Sequence, residues 1–196
     1  MQQRSTLRQR LIAILVTSVG AAAAATVSFA ITIYEAAHPQ AVPLVPAGEA
    51  IDTGRWSITF HSASSGPVPP TGIAPWEPKN FVFVEFNLNN RSAATSFASP
   101  ALFTVEPPVP DLPEPVFYLA RDKSIASGLN PGMPERMIAG WAWPPERPLP
   151  ATLRLAVASQ IYKRRDNLYG ASGWFDREPV ATVELSVSQD AAGAAE

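Results

Sequence analysis

The chain has 196 residues, with 15 Lys and Arg against 17 Asp and Glu and a formal net charge of −2 at pH 7; it lacks the strong positive balance that nucleic-acid binding draws on. It contains no cysteine, which removes a disulfide framework, a thiolate metal site and a lipidated-cysteine anchor. The length suits one domain with a substantial core, and nine Phe and five Trp are available to fill it.

Residues 1–10 form a basic tail carrying Arg4, Arg8 and Arg10 and no acid. The run from Leu11 to Tyr34, LIAILVTSVGAAAAATVSFAITIY, has neither charge nor proline. As a helix it would reach roughly 36 Å, enough to cross a hydrocarbon core of about 30 Å. The basic tail predicts that the N-terminus stays inside and the rest of the chain lies outside. A cleaved signal peptide is the competing reading, with small residues at Ala21 to Ala25 as the cleavage site. Cleavage there would leave an apolar TVSFAITIY at the new N-terminus, so an uncleaved, single-pass anchor in the cytoplasmic (inner) membrane is expected, with the C-terminal domain periplasmic or extracellular. Gly20, Ala24 and Ser28, four apart, offer a small-residue face for a second helix, a spacing that an Ala-rich anchor also produces by chance.

Beyond Tyr34 the charge turns acidic, with 12 Lys and Arg against 17 Asp and Glu, and all 21 prolines lie here. Residues 35–53, with Pro39, Pro43 and Pro46, read as a stalk of up to roughly 50 Å if extended. Alternation then begins. In RWSITFHS (55–62), Trp56, Ile58 and Phe60 share a face, with His61 on the other; a proline-rich loop follows. In FVFVEFNLNN (81–90), Val82, Val84, Phe86 and Leu88 form one face, with Phe81 and Phe83 on the other, and NNRS reads as a turn. Short strands are expected at 101–106 and 115–120, and a single helical turn at 122–129. In ERMIAGWAW (135–143), Met137, Ala139, Trp141 and Trp143 align. In 153–162, Leu153, Leu155, Val157 and Ile161 point inward. A long polar loop is expected over 163–178, and 180–187 closes the domain with Ala181, Val183, Leu185 and Val187 on the core face. Residues 189–196 read as a frayed tail. The fold class is therefore all-β: a seven-stranded antiparallel β-sandwich over 54–188, preceded by a single transmembrane helix.

Three stretches together carry a resemblance: GRWSITF, then FVFVEFNLNNRS ending in an Asn-rich turn, then LNPGMPERMIAGWAWPP leading to the Leu-rich LRLAV. The chain resembles the membrane-anchored, immunoglobulin-like extracytoplasmic domains of unknown function found in bacteria. The likeness covers roughly residues 54–187 and implies fold and anchoring. It carries over no site residue, and the long loop after the sixth strand departs from the pattern.

The sequence offers little catalytic chemistry. The two histidines, His38 and His61, have no ligand spacing between them and no cysteine to join. Asp166 and Asn167 with Asp176 are a weak calcium set. Ser172 sits in GASG, which is not a nucleophile elbow, and no phosphate-cradling glycine loop occurs. Asn90-Arg91-Ser92 fits a glycosylation sequon but reads as a turn. No cofactor, metal or catalytic residue is expected.

One segment exceeds scaffold needs: YKRRDNLYGASGWF (162–175), which combines Lys163, Arg164 and Arg165 with Tyr162, Tyr169, Trp174 and Phe175. Arginine and large aromatics anchor interfaces, and loops on a rigid scaffold carry binding. The plainer reading has Trp174 and Phe175 covering a sheet edge beside a solvated basic run. A weaker candidate is the loop holding Trp76 and Pro67 to Pro70. The expectation is a non-catalytic accessory module that docks on another membrane or envelope protein. The alternative is a carbohydrate- or ligand-binding domain stacking on Tyr169 and Trp174, and a hydrolase is remote.

Overall fold

The computed structural model describes residues 20, 21, 23–34, 41–166, 168 and 170–189. These fall in two compact units, one up to Ala41 and the other from Val42 onward. Within the first, residues 20, 21 and 23–34 are helical, and Thr32 Oγ1 donates to the Ser28 carbonyl at 2.9 Å. Gly20, Ala24 and Ser28 lie on this helix, and Val27, Phe29, Ile31 and Ile33 are exposed. Among the described residues no helix is long and apolar enough to cross a membrane. The basic tail, residues 11–19 and 22 of the expected anchor, 35–40 of the stalk with His38, and 190–196 lie outside the described residues.

The second unit is all-β. Its strands are β1 (Ala50–Asp52), β2 (Trp56–Gly66), β3 (Asn80–Asn90), β4 (Phe103–Val105), β5 (Val116–Leu119), β6 (Glu135–Trp143), β7 (Thr152–Lys163) and β8 (Gly173–Gln189), with one 3-10 turn at Pro100–Leu102. They form an eight-stranded sheet in the order β4-β7-β8-β2-β3-β6-β5, with β1 added to β2. The pairings are antiparallel except where Ala63, Ser64 and Ser65 run parallel to Val187, Ser188 and Gln189.

The alternating residues make one face of this sheet apolar, and the sheet curls to bury it. Val82, Val84, Phe86 and Leu88 of β3 are wholly buried, as are Met137 and Ala139 of β6 and Leu155 and Val157 of β7. Phe103 shows how far the curl goes. It sits on β4, at one end of the strand order, yet its ring lies 5.1 Å from Phe60, 5.2 Å from Phe86, 5.9 Å from Phe117 and 6.0 Å from Trp141. Those four rings belong to β2, β3, β5 and β6, none of which hydrogen-bonds to β4.

Bulges keep long strands in phase with that core. Phe60 pairs with Phe86 but Ser62 pairs with Glu85, leaving His61 as the extra residue. The inward set therefore shifts from Trp56, Ile58 and Phe60 to Ala63 and Ser65. In β8, Val157 opposes Ala181, Ala158 opposes Pro179 and Ser159 opposes Arg177, so Val180 and Glu178 are extra. Pro179 is accommodated between them, where a missing N–H costs little.

The structure revises several expectations. The stalk does not extend to residue 53: Leu44 bridges Thr182, Val45 N–H donates to the Thr182 carbonyl at 2.8 Å, and β1 pairs with β2. No helical turn forms over 122–129. Lys123 adopts φ 61° in a tight turn, and Ile125 returns to bridge Tyr118. The polar loop expected over 163–178 is shorter, confined to 164–172, because β7 runs to Lys163 and β8 starts at Gly173. Ile161, expected inside, lies beyond the core on this extension and is exposed.

Candidate functional site

The extension of β7 and β8 forms a two-stranded finger. Across it Ile161 opposes Phe175, Tyr162 opposes Trp174 and Lys163 opposes Gly173. Cross-strand aromatic pairs of this kind hold polar hairpins together. The Tyr162 and Trp174 rings are 5.4 Å apart, and Lys163 Nζ stands 4.6 Å over the Phe175 ring and 4.0 Å from Asp166 Oδ2. At the tip, Asp166 N–H donates to the Ala171 carbonyl at 2.8 Å and Gly170 N–H to the Asp166 carbonyl at 2.9 Å. Arg164 and Arg165 are exposed and make no ion pair among the described residues. Tyr169 and Asn167 lie outside the described residues.

Facing the finger is the loop after β3. Its geometry comes from Asn90, which is fully buried with every polar side-chain atom in use. Asn90 Nδ2 donates to the carbonyls of Ala94 and Leu129, both at 2.8 Å. Asn90 Oδ1 accepts from Ser92 N–H at 2.9 Å and Ser92 Oγ at 2.6 Å. Ser96 and Leu129 exchange backbone hydrogen bonds of 3.1 and 2.8 Å, and Gly132 N–H donates to the Asn90 carbonyl at 2.8 Å. The Asn-rich turn and the Leu-x-Pro-Gly turn are thus one hydrogen-bonded unit. A side chain so enclosed offers no amide to a glycan in the folded protein, so the sequon reads as a structural turn.

Between finger and loop lies an open cleft of about 640 Å³, lined by Arg55, Arg91, Ser96, Tyr162, Ser172 and Trp174 among others. Arg55 and Arg91 are next in register after the Trp56–Asn90 pair, and Arg91 N–H donates to the Arg55 carbonyl at 2.9 Å. Two like charges directly opposite each other repel unless acids attend them. Arg91 Nη1 pairs with Asp52 Oδ2. Asp176, which accepts from Gln160 Nε2 at 2.6 Å, exerts its field on Arg55. Burial holds the Arg55 guanidinium below its ordinary value, an effect that Asp176 offsets only in part; an arginine remains charged throughout the physiological range. Arg55 lies between two indoles, 5.5 Å from the Trp56 ring and 5.7 Å from the Trp174 ring, and its Nη2 donates to Ser96 Oγ at 2.6 Å. Its Nε and Gln160 Oε1 are both shielded from solvent and without a partner among the described residues.

Of the residues singled out from sequence, Tyr162 and Trp174 enter this cleft, Lys163 and Phe175 pair beside it, and Arg164 and Arg165 stand at the tip. Arg55 and Ser96 are not among those residues, and the sequence marks Arg91 and Ser92 only as part of a turn. Their sequence signal is slight: an arginine on each side of two strand ends, joined only by a register that the sequence does not state.

Elsewhere, Trp76 is fully exposed beside a shallow depression of about 320 Å³ in the proline-rich loop. A depression of about 400 Å³ on the outer sheet face holds Ser62, Ser64, Glu85, Phe83 and Lys123. His61 Nε2 is buried and unpartnered at its bulge. Asp166 and Asp176 serve different partners, and among the described residues no three His, Asp or Glu are grouped to hold a metal ion. The chain matches no known family model, no curated protein and no solved structure.

Proposed function

We propose that this chain is a single-pass, membrane-anchored extracytoplasmic module whose β-domain, an immunoglobulin-like sandwich, docks on another envelope protein without performing chemistry. The observation that carries the proposal is the cleft itself: Tyr162 and Trp174 on a projecting finger, facing Arg55 in the turn before β2 and Arg91 on the tightly bonded loop after β3. Aromatic and arginine side chains set in a concavity beside a rigid scaffold are the usual anchors of protein interfaces. The packing of Phe103 against rings from four strands to which it is not hydrogen-bonded favours two facing layers. The anchor is supported by the exposed apolar side chains of the helix over 20–34 and by the charge-free run and basic tail before it. The resemblance to bacterial anchored domains of unknown function agrees with this assignment. Glycan stacking is less well supported, because Arg55 and Tyr162 already lie against Trp174.

Co-purification from detergent-solubilised membranes tests the docking. The wild type should retain a stoichiometric partner that Trp174→Ala combined with Arg164→Ala releases. Retention of the same set by both would remove the finger from the interface. For the topology, a C-terminal tag should be digested by protease added to intact spheroplasts; a protected tag would overturn it.

A further inference from the structure

We propose that Arg55 and Arg91 form a carboxylate-binding pair, and that the cleft between finger and loop takes a peptide segment of the partner bearing a single acidic side chain flanked by apolar ones. This rests on the cleft being the docking surface and adds what it recognises.

Three observations point the same way. Arg55 and Arg91 both line the cleft, one step beyond the Trp56–Asn90 pair, and are joined by the Arg91-to-Arg55 backbone hydrogen bond of 2.9 Å. Such a pair is electrostatically unfavourable by itself and suits an anion placed between its members. The outer member already holds a carboxylate, that of Asp52, so the rim of the cleft displays the chemistry in question. The inner member is held ready by Ser96 and by the indoles of Trp56 and Trp174. An arginine carries five N–H donors in a fixed fork suited to carboxylate, and Ser96 takes only one of those on Nη2.

Charge selects among anions. Asp52 and Asp176 already attend the two arginines, so the site tolerates one added negative charge better than the two of a phosphate. The walls select for context. Tyr162, Trp174, Ala93 and Ala94 give apolar surface on both sides of the arginines, which fits apolar side chains flanking the acid. The domain is otherwise acidic, so a partner carrying a dense acidic run is repelled at longer range while one local carboxylate is drawn in.

The test uses the full chain in detergent micelles. The probes are a blocked tetrapeptide with one glutamate among leucines and its glutamine twin, each titrated by calorimetry at low salt. The glutamate peptide should bind at least about tenfold tighter than the twin. Arg91→Gln, at an exposed position, should erase most of that difference without disturbing the fold. Arg55→Gln should do the same, and Arg55→Lys should retain part of it. Sodium acetate should compete more effectively than inorganic phosphate. Equal affinity for the two peptides, an Arg91→Gln variant with undiminished preference, or stronger competition by phosphate would each overturn the proposal. The two levels separate cleanly. If Trp174→Ala releases the cellular partner and the double variant Arg55→Gln with Arg91→Gln does not, docking stands and carboxylate recognition falls. If neither releases it, both fall.

Discussion

Gly54 and Gln160 approach so closely that a Cβ on Gly54 would lie 2.1 Å from the Gln160 carbonyl oxygen. Gln160 N–H donates to the Thr53 carbonyl at 2.7 Å just beside that contact, which ties the turn between β1 and β2 to the base of the finger. Gly54 also has φ +89°, a conformation that costs an L-residue about 1–2 kcal/mol. Gly54→Ala combines both penalties and should destabilise the domain by about 3 kcal/mol. Gly48→Ala separates them. Gly48 has φ +87°, and a Cβ there would meet nothing within 4 Å, so the substitution should cost only about 1 kcal/mol. Urea unfolding followed by tryptophan fluorescence measures both. Equal losses would mean that the contact with Gln160 relaxes freely.

Asn90 is the keystone of the opposite wall. Its four side-chain hydrogen bonds serve the carbonyls of Ala94 and Leu129 and the N–H and hydroxyl of Ser92. Asn90→Ala strands these groups, some of them out of reach of water, at about 1–3 kcal/mol for each one left buried and unpaired. A total loss of about 3 kcal/mol or more is expected, with hydrogen exchange accelerated over 91–96 and 129–132 together. Exchange confined to one of the two segments would show that Asn90 does not couple them.

Much of this fold is legible in the sequence because burial on one sheet face writes itself as alternation. The inward sets of β3 and β6 can be read residue by residue, down to the second-face burial of Phe83, which packs beside Gly140 and Tyr118. What escapes has physical reasons. The outer half of β7 and the start of β8 bury no side chain fully on either face, so no alternation marks them as strand, and β1 is three residues of edge with one buried side chain. A bulge such as His61 inverts the pattern without any local signal. The finger residues of the site stand out because arginines and large aromatics cluster there in sequence. Arg55 and Arg91 do not, because their adjacency exists only in the register of β2 against β3.

Phe103 joins β4 to the far strands of the curled sheet, and it is 1% exposed. Phe103→Ala removes a ring packed against four others and should cost about 3–5 kcal/mol, a large share of the roughly 5–15 kcal/mol typical of a domain. Phe97, 72% exposed, is the control, and its replacement by alanine should stay within about 0.5 kcal/mol. Comparable losses at the two positions would contradict the packing of β4 across the sheet.

The pH dependence of stability gives the sharpest check on the rim of the cleft. The Gly54 N–H, donating to Asp52 Oδ1 at 2.8 Å, holds the Asp52 carboxyl below its ordinary value against a smaller opposing effect of burial, and Arg91 adds to it. A carboxyl lowered on folding binds more protons in the unfolded chain, so its contribution is present above the ordinary value of about 3.9 and fades as pH falls through the lower, folded value. Asp52→Asn keeps an acceptor for Gly54 and removes only the charge. It should therefore cost less than about 1 kcal/mol at pH 7, as expected for an exposed ion pair, and nothing once the pH is well below the carboxylate range. Urea midpoints of the two proteins should converge on acidification and also approach each other in about 1 M salt, where the Arg91 attraction is screened. A difference that persists undiminished at low pH would place the effect of Asp52 in shape and not in charge.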